Sequence, residues 1–314
     1  MIVVFGSLNV DLIMRVARLP RPGETVINGH YFLVPGGKGA NQALAAARAA
    51  DGAVPVVMAG CVGADDWGGV ATSLLAEAGV DLSAMRHGAR PTGCATICVD
   101  AAGENAIAVA SGANMEAMAD QVDDRWFGPE TWLMLQMEVP AQENWRLVER
   151  AKRRGARVLL NLAPAAKVPP DVLDAIDVLI VNEIEARMLV DAPPEAAVRD
   201  LSRRHGLTCI ATLGAAGALA ATPERAWTVA ALPVDVVDTT GAGDAFVGAL
   251  AAALATGRPL PAALTWASVG AALSCAVAGT QSSFAEAGAI ANRLSDLPPP
   301  IWVDRRHRGG PRRC

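Results

Sequence analysis

Aromatic residues are scarce in this chain: Phe, Trp and Tyr make up 4% of its 314 residues, although 52% of the residues are hydrophobic. The core must therefore be built mainly from Ala, Val and Leu. A basic excess is also missing, because the net charge is −5 and the pI is near 5.4. This balance argues against a nucleic-acid-binding surface. Nucleic acid is thus not an expected partner.

Paired cysteines and long apolar segments are missing as well. The six cysteines stand at positions 61, 94, 98, 209, 275 and 314 without a Cys-x-x-Cys pair, which predicts reduced thiols in a cytoplasmic protein. The N-terminal residues Met1–Gly6 have neither the basic region nor the long apolar segment of a signal peptide. Since no stretch resembles a transmembrane helix, we expect no membrane partner.

The most informative stretch is Asp238–Phe246, with the sequence DTTGAGDAF, which leads into an Ala- and Leu-rich run. The pattern predicts a helix that begins near Ala242. Gly241 and Gly243 let the backbone approach a ligand, and the helix dipole adds positive potential, so this turn is a candidate anion hole. Asp244 could accept a proton from a bound hydroxyl there, although a capping role in an ordinary turn fits the same residues. An anion hole beside a general base is what phosphoryl transfer to an alcohol requires.

A second polar group follows the N-terminal predicted strand. Asn9 and Asp11 alternate, so both side chains would leave one face of an extended segment, where an amide beside a carboxylate can bind vicinal hydroxyls. An Asx turn is the alternative. The segment Gly36–Asn41 (GGKGAN) then opens a predicted helix. Its Lys38 and Asn41 are three residues apart and could reach a polyol together.

From residue 131 onward, predicted strands and helices alternate, and polar residues follow successive strands. These residues include Glu138, Asn161, Asn182, Glu185 and Thr212. The carboxyl ends of parallel strands meet at one edge of a sheet, where α/β proteins bind ligands; ordinary loop polarity is the alternative. Two segments interrupt the alternation, at residues 12–34 and 92–111. We interpret them together as a small β-sheet lid over the site.

The GGKGANQ and DTTGAGD blocks resemble the two signatures of the PfkB, or ribokinase-like, family of carbohydrate kinases. The resemblance covers the chain from about Val3 to Leu294. It implies an α/β fold: a three-layer αβα sandwich with a mostly parallel central sheet and a small β-sheet lid. One kinase domain would span residues 1–297, followed by a flexible Pro- and Arg-rich tail at 298–314. The implied activity is ATP-dependent phosphorylation of a sugar hydroxyl.

Carried over residue by residue, the resemblance implies roles for the motif positions. Asp244 would be the general base for the sugar's primary hydroxyl, while the backbone amides of Gly241, Ala242 and Gly243 would hold the transferred phosphoryl group. The residues that would bind the sugar are Asn9, Asp11, Gly37, Lys38, Asn41, Glu138 and Asp244. Those that would line the ATP site are Asn182, Thr212, Gly214, Gly217, Gly243 and Ser268.

Two cations are implied by the same resemblance. Asn182 and Glu185, an Asn-x-x-Glu pair, would position Mg²⁺ through water, which suits a hard cation that prefers oxygen ligands. A monovalent cation, K⁺, would lie beside the anion hole and be held mostly by backbone carbonyls. The positions that would supply its ligands are Asp238, Thr240, Ser274, Val277, Gly279 and Ser283.

The substrate and the assembly are expectations of the same kind. Motifs at residues 6–11, 103–114, 161–165 and 279–281 are similar to those of the ribose-phosphorylating branch of the family, so D-ribose, phosphorylated at O5, is the expected substrate. Two alternatives stay open: a kinase of the same fold for a nucleoside, fructose or 2-keto-3-deoxygluconate, and a non-catalytic sugar or nucleotide sensor. An exposed lid would gain by packing on a second copy, and the resemblance implies a homodimer formed through it.

Overall fold

The computed structural model describes residues Met1–Trp302, which form an α/β fold of three layers with helices on both faces of a central sheet. Its strands are β1 (Ile2–Phe5), β2 (Asn9–Arg15), β3 (Tyr31–Gly36), β4 (Val56–Gly63), β5 (Asp81–Gly88), β6 (Gly93–Val99), β7 (Asn105–Ala110), β8 (Trp132–Leu135), β9 (Arg157–Asn161), β10 (Val178–Asn182), β11 (Thr208–Thr212), β12 (Ala218–Ala221), β13 (Ala226–Val229) and β14 (Ile301–Trp302). Its α-helices are α1 (Lys38–Ala50), α2 (Asp66–Glu77), α3 (Ala141–Arg153), α4 (Pro170–Ala175), α5 (Glu183–Leu189), α6 (Pro194–His205), α7 (Ala242–Ala255), α8 (Leu260–Cys275) and α9 (Ala287–Ala291). The predicted fold class is confirmed.

The central sheet has the strand order β14-β13-β12-β11-β10-β9-β8-β1-β4-β5. The strands from β11 through β10, β9, β8, β1 and β4 to β5 are all parallel to their neighbours. β12, β13 and β14 extend the other edge of the sheet in antiparallel fashion. The carboxyl ends of the parallel strands therefore share one edge, as the alternating pattern predicts.

Alternation along β1 explains why both faces of the sheet are covered. Ile2 and Val4 belong to a core cluster that also contains residues of α1, α7 and α8. Val3 and Phe5 point the other way, into a second cluster with residues of α3 and α6. A parallel strand buried on both faces is apolar throughout rather than alternating, which is the pattern that the sequence shows here.

Helices α1 and α7 cross very closely, because both are built largely from Ala and Gly. A Cβ on Gly248 would lie 2.5 Å from the Cβ of Ala45 and 2.6 Å from the carbonyl oxygen of Gln42. Glycine is thus required at this crossing for steric reasons. The close packing brings the first turns of the two helices, which carry the motif residues, to the same edge of the sheet.

The lid is a separate four-stranded sheet with the order β3-β2-β6-β7. It begins at Asn9 and ends its second strand at Gly36, so it reaches further than the predicted segment 12–34 on both sides. Residues 16–30, within the predicted segment, contain no strand. The register pairs Asn9 with both Gly36 and Gly93, which fixes the base of the lid against the site.

The end of the described chain corrects part of the predicted tail. Ile301 and Trp302 pair with Thr228 and Trp227 of β13, so these two residues of the segment 298–314 extend the central sheet. The five arginines at 305, 306, 308, 312 and 313 lie outside the described residues. Within Met1–Trp302, no helix has the length and hydropathy that crossing a membrane requires, and the five cysteines there are free thiols.

Candidate active site

A cavity of about 170 Å³ opens at the carboxyl edge of the parallel strands. The first turns of α1, α5 and α7 and the ends of β9, β10 and β11 form its walls. Its polar lining consists of Lys38, Asn161, Asn182, Glu185, Thr212 and Asp244, with Gly241 and Gly243 beside them. Residues from five separated parts of the sequence thus meet here, as the strand-end pattern predicts.

Asp244 lies in the first turn of α7 and is 6% exposed. Its Oδ2 accepts a hydrogen bond of 2.9 Å from Asn41 Nδ2, and its Oδ1 accepts one of 2.8 Å from Gln42 Nε2. Each carboxylate oxygen can accept two hydrogen bonds, so both retain a free acceptor position. The carboxylate is held on two sides and can still take a proton from a ligand in the cavity.

The turn before Asp244 depends on Gly241, the N-cap residue of α7, which has φ 79°. A Cβ there would lie 2.5 Å from Thr280 Cγ2. Ala242 N–H donates to the carbonyl of Thr239 at 3.2 Å, so this amide is partly engaged in the turn. In the described part of the chain, the N–H groups of Gly241 and Gly243 have no such partner, as is usual at a helix N-terminus.

The glycines of the GGKG segment allow α1 to begin directly against the base of the lid. Gly37 has φ 88°, and a Cβ on it would lie 2.8 Å from the amide nitrogen of Asn9. A Cβ on Gly39 would lie 2.6 Å from the nitrogen of Ser7. Side chains at either position would push α1 away from the strand end. The close approach is what brings Lys38 to the cavity and Asn41 to Asp244.

Three other predicted sugar ligands are not among the residues that line this cavity: Asn9 and Asp11 lie in β2 of the lid, and Glu138 follows β8. Asn9 is oriented by Asn114, whose Nδ2 donates to its Oδ1 at 2.7 Å. Glu138 Oε2 accepts hydrogen bonds from Ser7 Oγ at 2.6 Å and from the backbone N–H of Lys38 at 3.1 Å. These bonds leave Glu138 Oε1 available for a ligand.

Charges in the site are strongly coupled. Burial, followed by the nearby charges of Glu138 and Asp244, raises the pKa of Asp11 to about 6. The half-buried Lys38 has a raised pKa, chiefly because of Asp244, with smaller contributions from Glu138 and Glu185 that together outweigh its burial. Lys38 is therefore protonated at neutral pH and is the cation among these carboxylates.

A second cavity, of about 540 Å³, adjoins the first and shares Thr212 and Gly243 with it. Five of the predicted nucleotide-site residues line this cavity: Thr212, Gly214, Gly217, Gly243 and Ser268. The sixth, Asn182, lies in the first cavity. The remaining lining is mostly apolar and comes from the segment after β13 and from α8. This apolar wall has no motif of its own in the sequence.

Asn182 and Glu185 form a capping box at the start of α5. Asn182 Oδ1 accepts from Glu185 N–H at 2.8 Å, and Glu185 Oε2 accepts from Asn182 N–H at 2.7 Å. Burial raises the pKa of Glu185, while the Asn182 N–H and Lys38 act in the opposite direction. The pair is thus locked in place at the wall of the first cavity, with one oxygen of Glu185 outside the cap.

Several of the residues predicted to bind a monovalent cation lie around Asp238. Its Oδ1 accepts from Thr240 N–H at 2.9 Å and its Oδ2 from Gly279 N–H at 3.0 Å. Burial raises the pKa of Asp238, but these hydrogen bonds outweigh it and hold the pKa below its usual value. Ser274 and Val277 are joined by a backbone hydrogen bond of 3.4 Å, and Ser283 lies in the short 3₁₀ helix that follows Gly279.

Two buried glutamines at the site have no counterpart among the predicted residues. Gln42 binds Asp244 directly, and Gln281 Nε2 donates to Asn41 Oδ1 at 3.0 Å. Gln42 stands next to Asn41 in the GGKGANQ block, so its position inside a motif was the available signal. Gln281 lies 240 residues from Asn41, and only the fold brings the two together.

The chain is similar to known proteins over most of its length. A model of the pfkB family of carbohydrate kinases matches residues 1–287. Ribokinase of Haemophilus influenzae is 34% identical over 289 residues, which cover 89% of this chain and 94% of that protein. Deoxyribokinase of Salmonella typhi is 33% identical over 293 residues, 90% of this chain and 95% of that protein. The structure of Arabidopsis thaliana ribokinase complexed with ribose and ATP has a TM-score of 0.85 at 30% identity and covers 93% of this chain and 98% of its own.

Proposed function

The chain belongs to the pfkB family of carbohydrate kinases and is an ATP-dependent carbohydrate kinase, and on that premise we propose that it is a ribokinase, which transfers the terminal phosphoryl group of ATP to O5 of D-ribose. The observation that carries the proposal is the position of Asp244. This buried carboxylate faces a small polar cavity and lies one residue from Gly243, which also lines a larger, mostly apolar cavity. Sugar on the lid side of the first cavity and nucleotide in the second cavity would meet at this turn.

In the proposed mechanism, Asp244 accepts the proton of the attacking hydroxyl. Asn41 and Gln42 hold its two oxygens, so the carboxylate is fixed before the sugar binds. The free N–H groups of Gly241 and Gly243, at the positive end of α7, stabilise the charge on the phosphoryl oxygens in the transition state. Phosphoryl transfer requires mainly alignment and charge neutralisation. The fixed carboxylate of Asp244 would supply the alignment, and the N–H groups of Gly241 and Gly243 would supply the charge neutralisation.

The sugar would lie between the lid and the start of α1. Asn9, Asp11 and Glu138 offer oxygen acceptors to its hydroxyls, while Lys38 and Asn41 offer donors. Ring hydroxyls match this mixture because each can donate and accept. Gly36 and Gly37 contribute space, since a Cβ on Gly36 would lie 2.4 Å from Asp11 Oδ1.

ATP would occupy the larger cavity, with its base between the apolar segment after β13 and α8. The polar residues at the cavity's inner end, Thr212 and Gly243, are shared with the sugar cavity, so the phosphates would run towards Asp244. Gly217 has φ 91°, and a Cβ there would lie 2.0 Å from the carbonyl oxygen of Val229. A larger residue would therefore distort the wall near the nucleotide.

The residues of α5 fit a magnesium ion held mainly by water and phosphate. Glu185 presents one buried carboxylate and Asn182 is committed to the cap, so the protein offers few direct ligands, which is typical of Mg²⁺ at phosphate sites. When bound, the ion would neutralise phosphate charge. The capping box holds Glu185 in the orientation that this requires.

The surroundings of Asp238 fit a monovalent cation better than a divalent one. The candidate ligands are backbone carbonyls and a single carboxylate, and both oxygens of that carboxylate already accept N–H groups. No cluster of three or more His, Cys, Asp or Glu that could hold a metal occurs within Met1–Trp302. A bound K⁺ would support the turn that leads through Thr240 to Gly241.

A homodimer through the lid forms part of the proposal. The register aligns Phe32, Ile13, Ile97 and Ile107 in one row across the lid, on the face that also carries Asp11. Phe32 and Ile107 are each 56% exposed, and all six residues of the edge strand β7 are exposed. An apolar sheet face with an open edge is stabilised by pairing with another chain.

The test is ATP-dependent phosphorylation of D-ribose, with 2-deoxyribose, fructose, adenosine and 2-keto-3-deoxygluconate as competing substrates and with K⁺ or only Na⁺ present. We expect D-ribose to have the highest kcat/KM and K⁺ to raise the rate. Preference for 2-deoxyribose would retain the mechanism and contradict the substrate. Absence of turnover on every sugar would contradict the kinase proposal itself and favour a sensor.

A substitution of the base tests the mechanism separately. Asp244→Asn keeps the shape of the side chain but cannot accept the proton. We expect kcat to fall by about 10²- to 10⁴-fold, while the affinity for sugar, measured by calorimetry, changes little. Near-normal turnover of this variant would contradict the assignment of Asp244 as the general base.

A further inference from the structure

Four buried side chains form one chain of hydrogen bonds that converges on Asp244. Gln281 Nε2 donates to Asn41 Oδ1 at 3.0 Å, and Asn41 Nδ2 donates to Asp244 Oδ2 at 2.9 Å. From the other side, Gln42 Nε2 donates to Asp244 Oδ1 at 2.8 Å. All four residues are at most 6% exposed. Every amide thus points its donor group towards the carboxylate.

We propose that Gln42 and Gln281 are positioning residues for the general base: Gln42 fixes one oxygen of Asp244 directly, and Gln281 fixes the other by setting the orientation of Asn41. The inference rests on the proposed function, because it gives the two glutamines a purpose only if Asp244 accepts a proton. Neither glutamine needs to touch the sugar or the nucleotide for this role.

The role of Gln281 follows from the symmetry of an amide group. Asn41 could rotate by 180° and turn Oδ1 towards Asp244, but two acceptors would then face each other in a buried site. The N–H group of Gln281 pairs with Oδ1 and excludes this orientation. Asn41 therefore presents only its donor to Asp244, and the carboxylate keeps one position before substrate binds.

The two glutamines are anchored in different parts of the fold. Gln42 lies on α1 at its crossing with α7, where Gly248 allows the helices to touch. Gln281 belongs to the segment after α8, and its carbonyl accepts a hydrogen bond of 2.8 Å from Arg48 Nη1. Because the same Nη1 also binds the carbonyl of Phe284 at 3.0 Å, this segment is tied to α1 at both ends. The base is thus held directly by α1 on one side and, on the other, through a segment that is itself tied to α1.

Both glutamines carry a stability cost that packing alone does not explain. Gln42 Oε1 and Gln281 Oε1 are buried without a hydrogen-bond partner among the described residues. An unpaired buried acceptor of this kind costs about 1 to 3 kcal/mol, and an apolar side chain of the same length would avoid that cost. A residue that costs stability at a site is expected when it serves function.

The decisive variants are Gln42→Met and Gln281→Met, which keep the length of the side chain and remove the donor. We expect kcat for D-ribose to fall by about 10- to 100-fold while KM changes less than about threefold. Thermal stability should change little, since each variant loses an unpaired buried oxygen but also leaves Asp244 Oδ1 or Asn41 Oδ1 without its donor.

Two comparisons separate positioning from packing. Gln42→Glu preserves shape but places an acceptor against Asp244, so at pH 8 it should be less active than Gln42→Met; a packing role gives the opposite order. Adding Gln281→Met to Asp244→Asn should not lower the residual rate further, because no carboxylate remains to be positioned.

Gln121→Met is the matched control. It removes hydrogen bonds of 2.7 and 2.9 Å to the carbonyls of Gly60 and Ala84 and should reduce stability without altering kcat.

The outcomes are distinguishable. An active wild type with Met variants that retain full kcat would overturn this inference and leave the proposed function standing. A loss of kcat in the Met variants that the destabilised Gln121→Met control shares would overturn it as well. A wild type that phosphorylates none of the sugars would overturn the proposed function and this inference together.

Discussion

Asp11 offers a quantitative test of how the site is charged, through the substitution Asp11→Asn. Burial and the charges of Glu138 and Asp244 raise the pKa of Asp11 from the ordinary 3.8 to about 6. The folded protein therefore holds this proton more tightly than the unfolded chain does. Between pH 3.8 and about 6 the unfolded chain has lost the proton and the folded protein has kept it, so stability falls as the pH rises through this window.

The size of the effect follows from the pKa difference. At about 1.4 kcal/mol per pH unit, the raised pKa corresponds to about 3 kcal/mol of lost stability, fully present above pH 6. Asn has the same shape and no charge, so Asp11→Asn should recover much of this free energy in the sugar-free protein. For a chain of this length we expect a rise in Tm on the order of 5 °C at pH 8.

The assay is thermal unfolding of wild type and Asp11→Asn from pH 4 to pH 8 without sugar. The gain should shrink towards zero as the pH falls to about 4, because the folded protein keeps Asp11 protonated and the unfolded chain regains the proton as the pH approaches 3.8. KM for ribose should rise at least about tenfold at pH 8, because a charged acceptor is lost. The exposed Asp191→Asn serves as control and should show no pH-dependent gain. A Tm difference that is equal at pH 4 and pH 8, or a lower Tm at pH 8, would refute the electrostatic reasoning.

The remaining tests concern glycines. Ala in place of Gly inside a helix normally stabilises by about 1 kcal/mol, and the exposed Gly69→Ala in α2, which has open space around it, should raise Tm accordingly. Gly248→Ala should instead lower Tm by an amount that corresponds to about 1 to 3 kcal/mol, because its Cβ would overlap α1. A higher Tm of this variant would contradict the close crossing of α1 and α7. Gly241→Ala should lower kcat at least about tenfold with little change in KM for sugar, since φ 79° disfavours any side chain there. Normal steady-state kinetics of this variant would contradict the requirement for glycine in this turn.

The parallel core of the fold could be predicted because local signals agree there. The start of α7 at Ala242 and the start of α3 at Ala141 match the sequence pattern, since glycine or proline precedes an apolar, helix-forming run. The lid hairpin is marked by the turn between β6 and β7. In each case, periodicity and turn residues indicate the same element.

The edges of the central sheet could not be predicted in the same way. β5 (DLSAMRHG) mixes polar and apolar residues, and only Ala84 in it is buried, so its apolar pattern is weak. β12 (ALAA) and β13 (AWTV) are only four residues long, and β14 pairs only because the chain returns to the sheet from a distance. Such strands form because neighbouring strands offer unpaired backbone groups, which is a property of the assembled sheet.

The candidate site shows the same division between residues that local sequence patterns mark and residues that only the fold brings together. Residues inside motifs, such as Asn9, Asp11 and Asp244, could be selected from the sequence because their chemistry suits a sugar and a proton. Gln281 could not, since its partner Asn41 is chosen by the fold and no local pattern marks a glutamine as buried. That Gln281 Oε1 lacks a hydrogen-bond partner can be recognised only in the folded structure, where the atom is buried.

Several costly features lie at the candidate site. Asp11 is ionised against neighbouring carboxylates, Gln42 and Gln281 bury an oxygen without a partner, and Gly37 and Gly241 adopt positive φ. Buried unpaired atoms also occur on Gln136, Asn144 and Trp266, so an unpaired atom does not by itself mark a functional residue. Activity has to be measured together with stability. If the charge of Asp11 serves sugar binding, Asp11→Asn should stabilise the protein and weaken its activity together. The two Gln→Met variants should lower kcat with little change in stability, so the two kinds of substitution separate a cost in charge from a cost in positioning.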